Sequence, residues 1–352
     1  MQMHRPRLSP AVAEVRLAVR NGLATARSEG VLADGDLVLV ALSGGPDSLA
    51  LAAATAFEAP KQRLRAGAVV VDHALQAGSA EVAATAARQA TALGLAPVVV
   101  ERTVVGTAGG PEAAAREARY RSLTAVATAE RSPLVLVGHT LDDQAETVLL
   151  GLARGSGPDS LSGMAPLARP RTDHHALTVG PSIGRPLLGV RRAVTHQACA
   201  DSDLDPWTDP QNADPASTRV RVRERVLPSL QAELGPGVPE ALARTADQLR
   251  EDASALDHFA EELAEELSEH SEAGIALSVV GLASNPAALR QRLVRLAVES
   301  EFGVVLSRQQ TLEVCRLVTD WSGQGPLDLP GVRVERVGAR LAFAAATPTP
   351  QH

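Results

Sequence analysis

The stretch Val38-Leu39-Val40-Ala41-Leu42-Ser43-Gly44-Gly45-Pro46-Asp47-Ser48-Leu49-Ala50-Leu51 decides the fold. Its apolar first part is typical of a strand that is buried on both faces of a parallel sheet. A Gly-Gly turn follows, and then Ala-rich sequence that favours a helix. A strand, a glycine loop and a helix leave backbone N–H groups free at the helix N-terminus, where they can bind an anion. The stretch therefore predicts a phosphate-binding loop at Ser43–Ser48.

This loop differs from two common nucleotide-binding motifs. A Walker loop contains Gly-Lys-Ser/Thr, and the single lysine of the chain, Lys61, lies outside the loop. A dinucleotide fingerprint needs Gly-x-Gly-x-x-Gly, which Ser43–Ser48 does not supply. The hydroxyls of Ser43 and Ser48 add donors, and Asp47 can hold a metal ion or orient a ligand. Taken alone, the stretch also fits an ordinary serine-glycine turn.

The composition is that of a globular protein with a sizeable core. The 352 residues are 45% hydrophobic and 21% charged, which is enough chain for one large or two ordinary domains. No apolar run is long enough to span a bilayer, and the first ten residues lack the apolar region of a signal peptide. Cys199 and Cys315 are too few and too isolated for a disulfide framework or a cysteine-based metal site. We therefore expect a cytoplasmic protein with no membrane partner.

Charge is distributed unevenly along the chain. The net charge of −7 argues against a general nucleic-acid binder. However, four arginines alternate with other residues at Arg219, Arg221, Arg223 and Arg225. Arginine suits bidentate contacts to phosphate, but such a run can equally be a solvated helix face that pairs with glutamates. Charge alone does not decide between a nucleic-acid contact and a solvated surface.

Apolar strands alternate with helical segments in the first two thirds of the chain. Strands are predicted at 38–42, 66–73, 96–101 and 132–139, with helices at 9–28 and 79–94. This alternation predicts a doubly wound parallel α/β sheet. Ligands bind beyond the carboxyl ends of such strands, so Asp72 and His73 are expected beside the ligand of the loop. A capping or packing role for His73 is the alternative.

One later segment predicts a pair of arginines on a helix face. Arg116 and Arg119 are three residues apart in the helical pattern of Glu112–Arg121, so they share a face. Two guanidinium groups on one face can clamp a phosphate or a nucleotide. They could instead pair with Glu112 and Glu117 at the surface.

The segment after the fourth strand predicts a group of carboxylates. Asp142 or Asp143 is expected to cap a helix, and Glu146 then lies on the same face as Asp143. Carboxylates at this position can simply complement the helix dipole. They can also hold Mg²⁺ or an ammonium group at the carboxyl end of a strand.

Seven segments taken together resemble a known family. In chain order they are Ser43–Ser48, Val71–Leu75, Ala115–Tyr120, Gly138–Thr147, Leu152–Gly157, Arg185–Leu188 and Trp207–Asp214. They are similar to the motifs of the tRNA(Ile)-lysidine synthases, which are PP-loop ATP pyrophosphatases. The resemblance covers about residues 34–230. Enzymes of this superfamily split ATP between its α and β phosphates and leave AMP on an acceptor.

The resemblance implies a reaction in which ATP and free L-lysine modify the wobble cytidine of a tRNA(Ile) with a CAU anticodon. The cytosine 2-oxygen attacks the α-phosphate, pyrophosphate leaves, and the lysine amine then displaces AMP. Nucleotide binding would involve Ser43, Gly44, Gly45, Pro46, Asp47, Ser48, Asp72, His73 and His139. Catalysis would involve Asp47, which also places Mg²⁺, together with Arg116, Arg119, Asp143 and Glu146. Contacts to substrate or tRNA would involve Arg154, Arg185, Arg219 and Arg223.

The attacking amine needs a proton acceptor. A lysine side chain has an unperturbed pKa of about 10.4, so the substrate arrives protonated. We expect Asp143 and Glu146 to bind its ammonium group first and then to accept its proton.

The chain departs from the family pattern at Val220, where the family usually has asparagine between two arginines. Other functions use the same loop. The tRNA thiolases need reactive cysteines, often as Cys-x-x-Cys, which Cys199 and Cys315 do not form. An amide synthetase that adenylates a small metabolite is the enzymatic alternative. A nucleotide-binding regulatory module is the non-catalytic alternative.

The predicted organisation has two domains. Residues 1–230 form a PP-loop catalytic domain, and residues 231–345 form a smaller, mainly helical domain with a linker helix. The smaller domain resembles the tRNA-contacting region of the family and ends in strands around Val337-Gly338. Residues 346–352 are expected to be a disordered tail. The sequence is compatible with a monomer or a homodimer.

Overall fold

The computed structural model describes residues 9–74, 78–106, 110–170, 180–209, 214–271 and 274–346. The tail from Thr347 to His352 and the motif residues Leu75 and Pro210–Ala213 lie outside the described residues. The described chain divides into two compact units. The first contains the described residues up to Pro170 and those from 180 to Leu249, and the second contains those from Arg250 onward. No helix of the described residues is long and apolar enough to cross a bilayer.

The first unit is built on a six-stranded sheet. Its strands are β1 Leu37–Ala41, β2 Arg65–Asp72, β3 Val98–Arg102, β4 Leu134–Leu136, β5 Leu167–Ala168 and β6 Ser182–Gly184. The order is β3-β2-β1-β4-β6-β5, and only the edge strand β5 is antiparallel to its neighbour. Val38 of β1 pairs with Ala66 on one side and with Leu134 on the other. The predicted parallel α/β sheet is confirmed, although the fourth strand is shorter than its apolar run.

Helices cover both faces of this sheet. The helices of the first unit are α1 Pro10–Ser28, α2 Pro46–Glu58, α3 Ser79–Ala92, α4 Pro111–Ala129, α5 Leu141–Ala153, α6 Pro158–Leu161, α7 Arg192–Ala200, α8 Thr218–Arg221 and α9 Leu227–Leu234. A further helix, α10 Val238–Leu267, begins in the first unit and continues beyond its last residue, Leu249. Val38 and Val40 pack with residues of α1, α2 and α3, whereas Leu37 and Leu39 pack with residues of α4. Alternate residues of a strand point to opposite faces, so β1 is buried on both sides. This burial explains why its sequence is continuously apolar.

The described residues of the first unit also form short non-α turns. Two are 3₁₀ turns at Pro60–Gln62 and Pro186–Gly189, and another is a π turn at Val222–Val226 between α8 and α9. The first 3₁₀ turn carries Lys61, whose ammonium lies 3.2 Å from Glu58 Oε1 and 3.4 Å from the centre of the Phe57 ring. Glu58 is buried and also pairs with Arg20 at 3.0 Å. The lone lysine is thus held at the C-terminal end of α2.

The second unit combines helices with an antiparallel sheet. Its strands are β7 Ser268–Ser271, β8 Gly274–Ser278, β9 Leu327–Leu329, β10 Val332–Val337 and β11 Arg340–Ala345, in the order β7-β8-β11-β10-β9. Its helices are α11 Val279–Ser284, α12 Ala287–Phe302 and α13 Arg308–Thr319. Leu277, Leu293, Val314 and Phe343 join sheet and helices in one core. The predicted strands around Val337-Gly338 are confirmed as β10 and β11, and the helices predicted at 286–301 and 307–320 are confirmed as α12 and α13. Strands β7 and β8 were not predicted.

Candidate active site

The Ser43–Ser48 loop lies between β1 and α2, as the sequence predicts. Gly44 has a φ of +85°, a left-handed conformation that glycine adopts without steric cost. The hydroxyl of Ser48 donates to Gly45 O at 3.0 Å and accepts from Ser43 N at 3.2 Å. The Ser43 hydroxyl lies 3.0 Å from the hydroxyl oxygen of Ser48. The two serines therefore hold the loop in shape around the N-terminus of α2.

The end of β4 packs directly against this loop. A Cβ on Gly138 would lie 3.0 Å from the carbonyl carbon of Asp47 and 3.1 Å from Ser48 N. Any side chain at Gly138 would force these two segments apart. The glycine therefore brings the start of α5 beside the N-terminus of α2.

The N-terminus of α5 is capped by Thr140. Its hydroxyl accepts from Asp143 N at 3.4 Å, and Asp143 Oδ2 accepts from Thr140 N at 2.8 Å. This is a capping box, so the expectation that Asp142 or Asp143 caps the helix is wrong. Asp142 instead accepts from Arg192 N at 2.7 Å and pairs with Arg191 at 3.0 Å. Asp143 keeps its Oδ1 oxygen available for a different partner.

That partner is Arg192, which joins three carboxylates. Its Nη2 lies 2.7 Å from Asp143 Oδ1, its Nη1 3.3 Å from Glu146 Oε1, and its Nε 3.6 Å from Asp47 Oδ2. We call Asp47, Asp143 and Glu146 the carboxylate cluster. One guanidinium group spans them, so the loop and α5 contribute to a single site. The sequence predicted these three carboxylates but not their common partner.

Glu146 is the most enclosed member of the carboxylate cluster. Its side chain has no exposed surface, and it pairs with Arg223 Nε at 2.8 Å and with Arg219 Nε at 3.4 Å. Arg223 lies in the π turn, a rare geometry that is frequent at functional sites. Val220, which replaces the family asparagine, is 7% exposed and points into the core. Of the alternating arginines, Arg219 and Arg223 are therefore partly buried and paired with Glu146.

The pKa values of Asp47 and Asp143 are shifted in opposite directions. Burial raises the pKa of Asp47, and the charge of Asp143 adds to this, against a hydrogen bond from the Thr195 hydroxyl and the charge of Arg192. Burial also opposes ionisation of Asp143, but Arg192 and the bonds from Thr140 outweigh it and lower the pKa of Asp143. Such separation is typical of sites in which carboxylates have distinct tasks.

His139 lies in the same region and is neutral at pH 7. Burial lowers its pKa to about 4, and the charges of Arg185, Arg116 and Arg219 add to that effect against the opposing charge of Asp143. Its Nδ1 is buried and has no partner among the described residues. His139 is therefore placed to exchange a hydrogen bond with a ligand.

Arg116 and Arg119, which we call the arginine face, are exposed on α4. Arg119 Nε donates to His73 Nε2 at 3.5 Å, and the Arg116 guanidinium lies 5.1 Å from the centre of the Tyr120 ring. Burial and the charge of Arg119 lower the pKa of His73, so its ring is a neutral acceptor. Asp72 uses one oxygen to accept from Ala74 N at 2.9 Å, which lowers its pKa.

The remaining predicted residues are dispersed. Arg154 is exposed at the C-terminal end of α5. Arg185 is 8% exposed and donates from Nη1 to Ala165 O at 2.9 Å. The roles of both residues in tRNA binding stay predictions. Arg192 and Thr195, at the start of α7, were not assigned from the sequence, although a pair of arginines just after the Arg185–Leu188 motif was a usable signal.

The carboxylates of this site are of the kind that bind Mg²⁺. The described residues contain no group of three or more metal-ligating side chains. Mg²⁺ does not need one, because it is commonly held by one or two carboxylates together with phosphate oxygens and water. The charge of Asp143 raises the pKa of Asp47, and a cation between them would relieve that repulsion. These residues therefore fit a phosphate-bound Mg²⁺.

Both cysteines are buried thiols. Cys199 donates to Pro46 O at 3.3 Å, and burial raises its pKa to about 11. Burial raises the pKa of Cys315 to about 11 as well. Because the thiolate is the reactive form, neither side chain is suited to sulfur-transfer chemistry at neutral pH.

Two family models match the chain. A PP-loop domain matches residues 21–230, and a TilS substrate binding domain matches residues 277–341. The first match covers more than half of the chain. The second lies within the second unit.

The chain is similar to proteins named tRNA(Ile)-lysidine synthase. The chain is 62% identical over 313 residues to a tRNA(Ile)-lysidine synthase of Leifsonia xyli subsp. xyli, which covers 89% of this chain and 91% of that protein. It is 50% identical to one of Thermobifida fusca, over 92% of this chain and 94% of that protein. Among solved structures, a U34-tRNA thiolase from Methanococcus maripaludis shares the fold, with a TM-score of 0.55 and 19% identity over 68% of this chain and 80% of that chain.

Proposed function

Because the chain belongs to the tRNA(Ile)-lysidine synthase family, we propose that it ligates free L-lysine to C2 of the wobble cytidine in a tRNA(Ile) with a CAU anticodon, using ATP. One observation carries this proposal. Arg192 joins Asp47 of the Ser43–Ser48 loop to Asp143 and Glu146 of α5. A phosphate-binding loop and a cation-binding cluster therefore share one site.

The first step would take place at the loop. The backbone N–H groups and serine hydroxyls of Ser43–Ser48 would bind the pyrophosphate part of ATP. The cytosine 2-oxygen attacks the α-phosphorus, and the bond between this phosphorus and the pyrophosphate oxygen breaks. Asp47 would hold Mg²⁺, which neutralises phosphate charge when it is bound. Arg116 and Arg119 would stabilise the charge that develops on the phosphates.

The second step would take place at the carboxylate cluster. The lysine ε-amine attacks C2, and the bond from C2 to the adenylated oxygen breaks, so that AMP leaves with this oxygen. Asp143 and Glu146 would bind the lysine ammonium and then take the proton that it must lose. Their present partners are guanidinium ions, which supports a site that attracts cations. Arg219 and Arg223 would keep Glu146 in position.

The second unit would contact tRNA. Its match to a TilS substrate binding domain supports this role. We therefore assign the ligation chemistry to residues 1–230 and tRNA contact to the smaller, mainly helical region at 231–345, with Arg154 as a further candidate contact. Both ATP and tRNA are cytoplasmic, and we expect the reaction there.

The test is incorporation of labelled lysine into total tRNA. The purified chain with ATP should transfer lysine to tRNA and release AMP in equal amounts. A tRNA(Ile) transcript whose wobble cytidine is replaced by uridine is the control and should stay unlabelled. Release of ADP, or exchange of ATP with pyrophosphate that runs equally well without tRNA, would contradict the proposal.

A single-turnover assay tests the roles of the carboxylates. Glu146→Gln keeps the size of the side chain but removes its charge. We expect it to weaken lysine affinity and to slow turnover from pre-formed adenylated tRNA. Glu224→Gln is the matched control, because Glu224 is an exposed glutamate of the neighbouring π turn. Normal lysine affinity and turnover in Glu146→Gln would refute its role.

A further inference from the structure

The first unit contains a cavity outside the carboxylate cluster. Its volume is about 540 Å³, within the range of small-molecule sites. It is lined by α1, the first turn of α5, the end of β6 and the start of α10, with apolar walls from Leu136, Leu141 and Leu188. Leu141 and Gln144 face this cavity, whereas Asp143 and Glu146 of the same helix form the carboxylate cluster. The two sites therefore lie on different faces of α5.

One wall of the cavity carries a buried positive charge. Arg185 is 8% exposed, and its Nη1 donates to a carbonyl oxygen, Ala165 O, rather than to a carboxylate. Its Nε is buried and has no partner among the described residues. Buried guanidinium groups are normally paired with anions. The charge of Arg185 is also felt by His139, whose pKa it helps to lower.

Another wall carries a carboxylate with one free oxygen. Glu240 Oε1 pairs with Arg191 at 2.6 Å. Glu240 Oε2 is buried and lacks a partner among the described residues. The side chain as a whole is 36% exposed. Burial opposes ionisation of Glu240, but the hydrogen bond from Arg191 and the charges of Arg191 and Arg244 lower its pKa, so a ligand would meet a carboxylate anion here. Asn21 adds a neutral amide to the same cavity.

We propose that this cavity binds a free amino acid. The lining also contains Arg244 and Asp247, so the cavity carries charges of both signs. A purely anionic ligand would be repelled by the carboxylates, and a purely cationic ligand would be repelled by the guanidinium groups. A zwitterion satisfies both, with its carboxylate on Arg185 and an ammonium group on Glu240. The leucine walls then cover its aliphatic part. This site is additional to the one at which lysine would react.

The cavity is connected to the carboxylate cluster through Arg191. This residue pairs with Glu240 at 2.6 Å and with Asp142 at 3.0 Å, and Asp142 is the neighbour of Asp143. A ligand ammonium at Glu240 competes with Arg191 for this carboxylate. Occupation of the cavity is therefore expected to change the rate of lysine transfer.

Isothermal titration calorimetry on the full chain tests this assignment. Each of the common amino acids is titrated without ATP or tRNA, into the unsubstituted chain and into four variants. Glu240→Gln removes the charge, Ala243→Leu fills the cavity, Glu146→Gln disables the proposed reaction site, and Glu233→Gln changes an exposed glutamate of α9. We expect at least one amino acid to bind, with a dissociation constant raised about tenfold by Glu240→Gln. Ala243→Leu should also weaken binding, and Glu233→Gln should leave it unchanged. Glu146→Gln should remove only the lysine that binds at the reaction site and should leave cavity binding of the other amino acids in place.

The separate titrations show which amino acid binds in the cavity. Lysine as the ligand would make the cavity a second site for the substrate, and another amino acid would make it an effector site. The assignment is overturned if no amino acid binds, if binding is lost in Glu146→Gln and kept in Glu240→Gln, or if neither Glu240→Gln nor Ala243→Leu weakens it. Ala243→Leu decides the matter if Glu240→Gln does not fold. Lysine incorporation by the same preparations reports separately on the proposed function.

Discussion

The carboxylate cluster and the arginine face differ in the environment of their arginines. Around the cluster the arginines are partly buried and paired with carboxylates, whereas on the arginine face they are exposed. In the cluster, Glu146 has no exposed surface and contacts Arg192, Arg219 and Arg223. On the arginine face, Arg116 and Arg119 are exposed. Arg116 lies over an aromatic ring, and Arg119 donates to a neutral imidazole and feels the charge of Asp209. The cluster is held together by its own ion pairs. The arginine face leaves its charge available to a ligand.

This difference separates stability from activity. A buried carboxylate that neutralises several guanidinium groups contributes to folding as well as to binding, because its removal leaves buried charges uncompensated. An arginine with an exposed side chain contributes little to folding, although burial of its guanidinium group lowers the pKa of Arg119. Substitutions in the cluster should therefore affect both properties, and those on the arginine face should affect activity alone.

The largest effect is expected for Glu146→Ala. Loss of this carboxylate leaves three partly buried guanidinium groups facing one another, and the free energy of unfolding should fall by about 3 kcal/mol. Lysine incorporation should fall below detection. Urea denaturation followed by circular dichroism measures the stability change. Glu224→Ala in the π turn is the control. Equal free energies of unfolding for the two variants would show that the carboxylate cluster does not stabilise the fold.

The next effect is expected for Arg119→Ala. Loss of a guanidinium that stabilises phosphate charge should lower the rate of adenylation roughly 100-fold. The free energy of unfolding should change by less than about 0.5 kcal/mol, as for other exposed side chains. Arg121→Ala is the matched control on the same helix, because Arg121 is exposed and lies 3.9 Å from Glu117. A large loss of stability in Arg119→Ala would show that the arginine face is structural.

At neutral pH a smaller effect is expected from His139, which is influenced by both regions, and its effect on stability appears only as the pH falls. Its folded-state pKa of about 4 is below its unfolded value, so the unfolded chain binds the additional proton as pH falls. The contribution of His139 to stability should therefore decrease from about pH 6.5 down to about pH 4. His139→Gln should flatten the pH dependence of unfolding in this window, as measured by urea titration at several pH values. An unchanged slope would show that His139 titrates normally.

The smallest effect is expected for the two thiols. Cys199 lies beside Asp47, whose charge adds to burial in raising the thiol pKa. Cys199→Ala combined with Cys315→Ala should leave lysine incorporation within about twofold of the unsubstituted chain, since neither thiolate forms at neutral pH. In the unsubstituted chain, a thiol reagent should react with both cysteines only after denaturation. Fast labelling of the native chain would contradict their burial.

The sequence was most informative where one local rule controls the structure. The apolar run Val38–Leu42 predicted a doubly buried strand, and the glycines after it predicted the loop, because both depend on neighbouring residues. The start of α5 was assigned to the wrong cap, since Thr140, Asp142 and Asp143 are all acceptable capping residues. Asp142 does not cap the helix, because its carboxylate contacts Arg191 and the backbone N–H of Arg192.

Local sequence patterns could not predict contacts between distant segments. Arg192 is 145 positions from Asp47 (192 − 47). The arginine pair after the Arg185–Leu188 motif marks it as a candidate, but its local sequence does not show which carboxylates it joins. Strand β7 was missed for a related reason. Its sequence, Ser268–Ser271, is polar, and it becomes a strand because it pairs with β8 in register from Ser268 opposite Leu277. Tertiary pairing overrides such weak local propensity.

The position of Lys61 has a practical consequence. Because the chain has one lysine, an amine-reactive dye or surface linker can couple to one side chain in addition to the α-amino group. This amine lies beyond the C-terminal end of α2, whereas the Ser43–Ser48 loop lies at its N-terminal end, and a helix of 13 residues separates them. The chain can thus be tethered or made fluorescent at a defined point that leaves the nucleotide loop unobstructed.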